Sequence, residues 1–141
     1  MMRLVIIESP YAGGEPAELL SERYADDFGL VEVMVRGGVA VGRDRSHALQ
    51  LAQIDRNTKY ARRALLDSLS RGEAPYASHL LYTQVLSDAD PEQRQHGLEA
   101  GWAWQSAVDA VVVYTDWGIS SGMRAAIDNA KCPVEYRNIG R

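Results

Sequence analysis

The sequence has almost no cysteine and no long apolar run, and each shortage excludes a class of protein. Its single cysteine among 141 residues, Cys132, cannot form an internal disulfide or a zinc site built from several cysteines. A membrane span needs an apolar run of about 18–20 residues, and none approaches that length. The N-terminus has one arginine beside a short apolar stretch, which predicts a buried strand rather than a signal peptide. We therefore expect a cytoplasmic protein without a membrane partner.

Positive charge is not in excess either. The chain has 15 Lys and Arg residues against 19 Asp and Glu residues, a formal net charge of −4. This balance argues against a protein that binds a nucleic-acid polymer through bulk charge, but it is compatible with nucleosides or nucleotides as small ligands. The length and the 46% hydrophobic content predict one globular domain over residues 1–141.

Two phosphate-binding fingerprints are missing as well. The chain contains neither GxGxxG, which is typical of dinucleotide-binding folds, nor the P-loop pattern GxxxxGK[ST]. No spacing of His, Asp and Glu indicates a metal site, and neither His47 nor His96 has a convincing partner in the sequence. We therefore expect no metal and no cofactor.

Four short apolar segments predict the strands of a mainly parallel sheet. Runs without a polar face are typical of strands that are buried on both sides. The proline and the charges of the last segment predict an edge strand. The four segments are residues 3–8, 74–78, 110–114 and 133–137.

Helical patterns lie between these strands. The first predicted helix has Asp55 as its N-cap and Gly72 just beyond its C-terminus. A second helix follows the N-cap Asp90 and should end near Ala107, and a third begins near Ser121. The alternation of strand and helix is typical of a doubly wound α/β domain.

Residues 13–53 do not fit this alternation, and we predict that they form an insertion between the first strand and its helix. Residues 15–28 could form a short helix. Residues 31–41 contain two short apolar runs around Arg36-Gly37-Gly38, a pattern that predicts a β-hairpin.

The expected site lies where the predicted parallel strands end. In open parallel sheets, ligands bind beyond the carboxyl ends of the strands, where helix N-termini converge. This rule points to residues after three of the strands, and Asn57 near the start of the first helix and Asp88 ahead of the second are added to them. The ten candidate ligand contacts are Ser9, Tyr11, Asn57, His79, Asp88, Asp116, Ser120, Ser121, Gly122 and Met123.

Each of the most informative candidates also has a structural interpretation. Residues 120–122 could hold a phosphate or a hydroxyl-bearing group at a helix N-terminus, or Ser120 or Ser121 could simply cap that helix. Asp116 could contact a ligand or hydrogen-bond within its own turn. His79 could be a general base, a stacking partner or a structural histidine.

Together these segments resemble the nucleoside 2-deoxyribosyltransferase-like superfamily, and they are most similar to its small phage and bacterial branch. The likeness lies in LVIIESPYAG (4–13), DRNTKYARRALLDSLSRGEAPYASHLLY (55–82), DADPEQRQHGLEAGWAW (88–104) and VVVYTDWGISSGMRAAIDNA with PVEYR (111–137). The resemblance implies a Rossmann-like three-layer α/β/α sandwich, with a mostly parallel sheet of four to five strands, in a homo-oligomer. It also implies cleavage or exchange of the N-glycosidic bond of 2-deoxynucleosides or their 5′-phosphates through a glutamate nucleophile.

The resemblance further implies roles for individual residues. Tyr11 would lie against the base or sugar, Asp116 would face base or sugar hydroxyls, and residues 120–122 would face a phosphate. The family's glutamate lies four residues after the glycine of this segment, where the present chain has Ala126. Alanine has no nucleophilic group, and Asp128 lies about 200° further around the helix.

Three hypotheses follow for the function. The leading one is a nucleoside- or nucleotide-binding protein without the glutamate nucleophile. The second is an active N-glycosidase or deoxyribosyltransferase that uses another carboxylate, from Asp88, Glu92 or Glu99. The third is a non-catalytic interaction module in which the 13–53 insertion contacts a partner. Whether the chain is an enzyme stays open at this point.

Overall fold

The computed structural model describes residues 1–25 and 27–141 and has an α/β architecture. Within those residues it has a four-stranded parallel sheet, a separate three-stranded antiparallel sheet and four α-helices. The strands are β1 (Arg3–Glu8), β2 (Leu19–Tyr24), β3 (Val31–Val35), β4 (Gly38–Gly42), β5 (Glu73–Tyr76), β6 (Ala110–Tyr114) and β7 (Val134–Arg137). The helices are α1 (Arg45–Ser70), α2 (Ser78–Leu81), α3 (Pro91–Ala103) and α4 (Ser121–Asp128), with 3₁₀ turns at Tyr82–Gln84 and Trp104–Ser106.

The parallel sheet has the strand order β5-β1-β6-β7, so all four predicted strands are confirmed and β7 is an edge strand as expected. Alternate residues of a strand point to opposite faces of its sheet. On one face Val5 and Ile7 pack with Tyr60 of α1, and on the other Ile6 packs with Met123 of α4. The apolar runs of β1 and β6 therefore reflect burial on both faces.

The first helix begins eleven residues earlier than its predicted N-cap indicates. The Asp44 side chain accepts a hydrogen bond from the His47 amide (2.8 Å), so Asp44 is the N-cap and the prediction of Asp55 was wrong. The added turns bury the small residues Ala48 and Ala52, which give little apolar signal. Gly72, with φ of +82°, ends the helix as predicted. No helix in the described part of the chain is long and apolar enough to cross a membrane.

The later helices follow their capping signals. Asp90 caps α3 by accepting hydrogen bonds from the amides of Glu92 and Gln93. The helix ends at Ala103 and not near Ala107, because the chain tightens into a 3₁₀ turn. That turn buries Gln105, whose amide donates a hydrogen bond to a carbonyl oxygen of α4.

The second sheet has the order β2-β3-β4, and its three strands come between β1 and α1 along the chain. The predicted hairpin is confirmed as β3 and β4, with Gly37 in their turn at φ of +87°. The expected short helix over residues 15–28 is wrong, because Leu19–Tyr24 pairs with β3 as a third strand. Tertiary pairing overrides the weak local preference of this segment. Residues 45–53, which were predicted to be part of the insertion, belong to α1. Val33 and Val35 of the second sheet pack on these first turns of the helix.

Candidate functional site

A cleft of about 650 Å³ opens at the carboxyl ends of the parallel strands. The chain passes from β1 to β5 on one side and later to β6 on the other, so the connections diverge between β1 and β6. Such a divergence leaves a crevice at the strand ends, where ligands of open α/β sheets bind. Here the crevice is walled by the end of β1 and the loop after it, by the first half of α1, by α2 and the segment that leads to α3, by one face of α3 and by the start of α4.

Eight of the ten predicted contacts line this cleft. They are Ser9, Tyr11, His79, Asp88, Ser120, Ser121, Gly122 and Met123. Asn57 and Asp116 are not among the residues that line it. The cleft thus brings together candidates from four separate segments of the chain.

The start of α4 joins backbone amides, hydroxyls and a guanidinium at one wall of the cleft. Ser120 is the N-cap, since its Oγ accepts a hydrogen bond from the Met123 amide (3.3 Å). The next hydroxyl, Ser121 Oγ, accepts a hydrogen bond from Nη2 of Arg94 on α3 (3.3 Å). Within the described residues Arg94 forms no ion pair. Its positive charge adds to the partial positive charge of the helix N-terminus, which favours an anion.

Ser9 and His79 are hydrogen-bonded to each other in the cleft. Ser9 Oγ lies 2.7 Å from Nε2 of His79, and Ser9 is almost fully buried. The other ring nitrogen, Nδ1 of His79, is buried and has no hydrogen-bond partner within the described chain. Burial lowers the pKa of His79 to about 4, so the imidazole is neutral at pH 7.

Glu8, which sequence reasoning missed, also lines the cleft. It is the last residue of β1, and its carboxyl group forms neither an ion pair nor a hydrogen bond with the described residues. Burial raises its pKa to about 8, so the carboxyl is mostly protonated at pH 7. The sequence feature that could have indicated Glu8 is its position directly after an apolar run of four residues.

Asn57 acts from behind the cleft wall. Its side chain is fully buried in α1, and its Nδ2 donates hydrogen bonds to the carbonyl oxygens of Tyr11 (2.7 Å) and Gly13 (3.0 Å). Asn57 therefore fixes the loop after β1, which carries Tyr11 into the cleft. Its contribution to the site is positional, because the amide is fully used by protein groups.

Asp116 holds the C-terminal segment. Its carboxylate accepts hydrogen bonds from the Tyr60 hydroxyl (2.6 Å) and from the amides of Ile139 (2.8 Å) and Gly140 (2.9 Å). Burial by itself would raise the pKa of Asp116, but these hydrogen bonds hold that pKa below its ordinary value. Three donors of the protein itself therefore occupy a carboxylate for which the sequence left both a ligand contact and a structural role open.

We expect Asp116→Ala to lower the free energy of unfolding by about 2–3 kcal/mol, because three donors lose a charged acceptor. Urea unfolding followed by circular dichroism at pH 7 would measure the change. The exposed Asp128 supplies a matched control, and Asp128→Ala should change stability by less than about 0.5 kcal/mol. An Asp116→Ala protein with unchanged stability would contradict this structural role.

Carboxylates near the site are few. Ala126, which stands where the resemblance implies a glutamate, is buried in α4 and is not part of the cleft lining. Glu92 and Glu99 are exposed on α3 and also lie outside the lining, whereas Asp88 and Glu8 belong to it. Among the described residues, no three His, Cys, Asp or Glu side chains are grouped as a metal site would require.

Comparison with known proteins places the chain in a family. Residues 48–137 match the model of a domain of unknown function, DUF7768. No curated protein and no solved structure matches the chain. The matched region runs from α1 to the end of β7 and contains every wall of the cleft except the end of β1 and the loop after it. Because this region is more than half of the sequence, the chain belongs to the DUF7768 family.

Proposed function

We propose that this protein binds a nucleoside 5′-phosphate in the cleft, with the phosphate at the start of α4. The observation that carries the proposal is the pair formed by Arg94 and Ser121 at that helix N-terminus, where the guanidinium has no carboxylate partner among the described residues. We also propose that the chain is related to the nucleoside 2-deoxyribosyltransferase-like proteins that its sequence resembles, and that it shares their Rossmann-like three-layer sandwich.

The chemistry of the α4 start suits a phosphate group. The first amides of a helix have no acceptor within the helix, and those of Ser121 and Gly122 stand at the cleft wall. A guanidinium forms strong, charge-assisted hydrogen bonds with phosphate oxygens. A Cβ atom built on Gly122 would lie 3.7 Å from Nη2 of Arg94, so the backbone and the cation are close enough to share one anion.

The remainder of the cleft suits a heterocyclic base and its sugar. Tyr11 and the apolar side chains of Leu51, Ile54 and Leu98 line it together with the polar groups of Ser9 and His79. An apolar wall with a few polar groups is typical of small-molecule sites, whose volumes run from about 300 to 1,000 Å³. We infer that the base lies against Tyr11, away from the start of α4.

Binding without nucleophilic catalysis is the version of the function that the residues favour. Ala126 has no nucleophilic group, and two of the alternative acids, Glu92 and Glu99, lie outside the cleft lining. An N-glycosidase would have to use Asp88 or Glu8, the acids that line the cleft. Release of free base from a 5′-nucleotide, lost in Asp88→Asn, would establish that alternative. The homo-oligomer and the cytoplasmic location stay predictions.

We expect Arg94→Ala to weaken binding of adenosine 5′-monophosphate (AMP) by about 10- to 100-fold, the value of one charge-assisted contact with phosphate. Adenosine has no phosphate, so its dissociation constant should be the same for both proteins. Isothermal titration calorimetry with AMP and adenosine would measure both effects. Arg124→Ala is the matched control, since Arg124 is exposed on α4, the helix whose start forms the proposed phosphate site, and lies outside the cleft lining.

A thermal-shift titration against nucleosides, 5′-mononucleotides and ribose 5-phosphate should precede calorimetry, because a ligand that binds only the native state raises the melting temperature. A shift confined to phosphate-bearing ligands supports the site at α4. The proposal fails if no nucleotide raises the melting temperature at millimolar concentration. That result would favour the interaction-module hypothesis.

A further inference from the structure

Glu8 is a carboxyl group without a partner in the wall of a cleft. Other partly buried carboxylates of this protein are hydrogen-bonded: Glu73 pairs with Arg137, and Asp116 accepts three hydrogen bonds. Glu8 forms no comparable contact with the described residues, and the cleft is the space it faces. A polar group that the protein leaves unpaired in a ligand-sized cleft is available to a ligand.

The groups around Glu8 do not neutralise it. The other titratable side chains that line the cleft are Tyr11, His79, Tyr82, Asp88 and Arg94. His79 is hydrogen-bonded to Ser9, and Arg94 is hydrogen-bonded to Ser121 at the start of α4. Because no cation among the described residues compensates an ionised Glu8, burial raises the pKa of this carboxyl to about 8.

We propose that protonated Glu8 recognises the base of the bound nucleotide, donating one hydrogen bond through its O–H group and accepting one through its carbonyl oxygen. This inference rests on the proposed function. A protonated carboxyl is a donor and an acceptor side by side, whereas a carboxylate only accepts. The ligand class is therefore a nucleotide whose base presents an acceptor next to a donor, as adenine and cytosine do.

Binding should accordingly follow the protonation of Glu8. If only the protonated protein binds, the apparent dissociation constant equals the intrinsic one divided by the protonated fraction. With the pKa of Glu8 at about 8, the wild-type affinity for AMP should fall about 30-fold between about pH 7 and about pH 9.5. A phosphate monoester ionises near about pH 6, so the charge of AMP is nearly constant over this range.

The experiment is calorimetric titration of AMP and ribose 5-phosphate over this pH range, with the wild-type protein, Glu8→Gln and Asp88→Asn. The glutamine amide donates and accepts at every pH, so the affinity of Glu8→Gln for AMP should stay constant. Ribose 5-phosphate lacks a base, and its affinity should be independent of pH in all three proteins. Asp88→Asn, which removes the other acid of the cleft, should keep the wild-type pH profile for AMP.

The possible failures are distinguishable. A wild-type affinity for AMP that does not change with pH, or that falls equally in Glu8→Gln, overturns the role of Glu8 but leaves the proposed function in place. If neither AMP nor ribose 5-phosphate binds the wild-type protein, the proposed function fails and this inference fails with it. As a second measurement, AMP should move the titration of the ¹³C-labelled Glu8 carboxyl in the wild-type protein to higher pH, and an unmoved titration also overturns the inference.

Discussion

Replacing Glu73 by alanine should lower the free energy of unfolding by about 3–5 kcal/mol, the range for removing one partner of a buried ion pair. Glu73, at the start of β5, accepts hydrogen bonds from both terminal nitrogens of Arg137 (2.7 and 3.0 Å) and one from Arg3 (3.0 Å). The side chains of Glu73 and Arg137 are only 6% and 10% exposed. The substitution therefore leaves the guanidinium of Arg137 buried without its main partner.

The same pair makes stability depend on pH. Hydrogen bonds from Arg137 hold the pKa of Glu73 below its ordinary value of 4.5. A carboxyl with a lowered pKa contributes stability above its unfolded pKa and loses that contribution as the pH falls through its folded pKa. The difference in stability between the wild-type protein and Glu73→Ala should therefore shrink below about pH 4.5.

Glu135 supplies the matched control. It contacts the same two arginines, Arg3 and Arg137, but its side chain is 39% exposed. Water compensates the loss of an exposed partner, so Glu135→Ala should cost about 1 kcal/mol or less. Urea unfolding at pH 7 and pH 4 would compare the two variants. Equal losses of stability in the two variants would contradict this prediction, because burial of the Glu73–Arg137 pair would then add nothing to the stability that the pair provides.

The parts of the fold that sequence reasoning predicted are those in which local pattern and burial agree. The four parallel strands are confirmed within about two residues at each end. In the central strands β1 and β6 both faces are buried and the apolar runs are continuous, whereas β5 and β7 are edge strands with charged residues. The N-cap Asp90 and the helix end at Gly72 are also local signals. Gly37, likewise, occupies a turn that requires positive φ.

The errors lie where tertiary pairing decides the structure. Five of the six residues of β2 are exposed, and the strand forms because its backbone pairs with β3. The first turns of α1 are stabilised by packing of Ala48 and Ala52 on the second sheet. Small and exposed residues carry little hydrophobic periodicity, so neither element could be recognised from its own segment.

For the site, the rule that ligands bind beyond the carboxyl ends of parallel strands located the cleft, but it could not tell which side chains point into it. Asp116 follows β6 as predicted, yet its carboxylate is used by Tyr60 and the C-terminal segment. Arg94 was missed because it lies in the first turn of α3, more than twenty residues from the segment that it contacts. Glu8 was missed because a single acid at a strand end carries no motif.

We expect the wild-type protein to lose about 3 kcal/mol of stability relative to Glu8→Gln between about pH 5 and about pH 8.5. In the unfolded chain Glu8 ionises at its ordinary pKa of 4.5, whereas burial raises the pKa of the folded state to about 8. A group whose folded pKa is raised contributes stability below its unfolded pKa and loses it as the pH rises through the folded one. The difference between the two pKa values corresponds to a contribution of at most about 5 kcal/mol to the free energy of unfolding, and contact of the carboxyl with solvent through the cleft reduces this contribution.

The comparison with Glu8→Gln isolates this contribution. Burial lowers the pKa of His79 to about 4, so His79 makes stability rise with pH up to about pH 6.5, but it does so in both proteins and cancels in their difference. Urea unfolding of both proteins at intervals from about pH 5 to about pH 8.5 would measure that difference. A constant difference would mean that Glu8 ionises in the folded protein as it does in the unfolded chain. The carboxyl would then be charged at pH 7, unable to donate a hydrogen bond, and suited to a ligand with two donors in place of a donor and an acceptor.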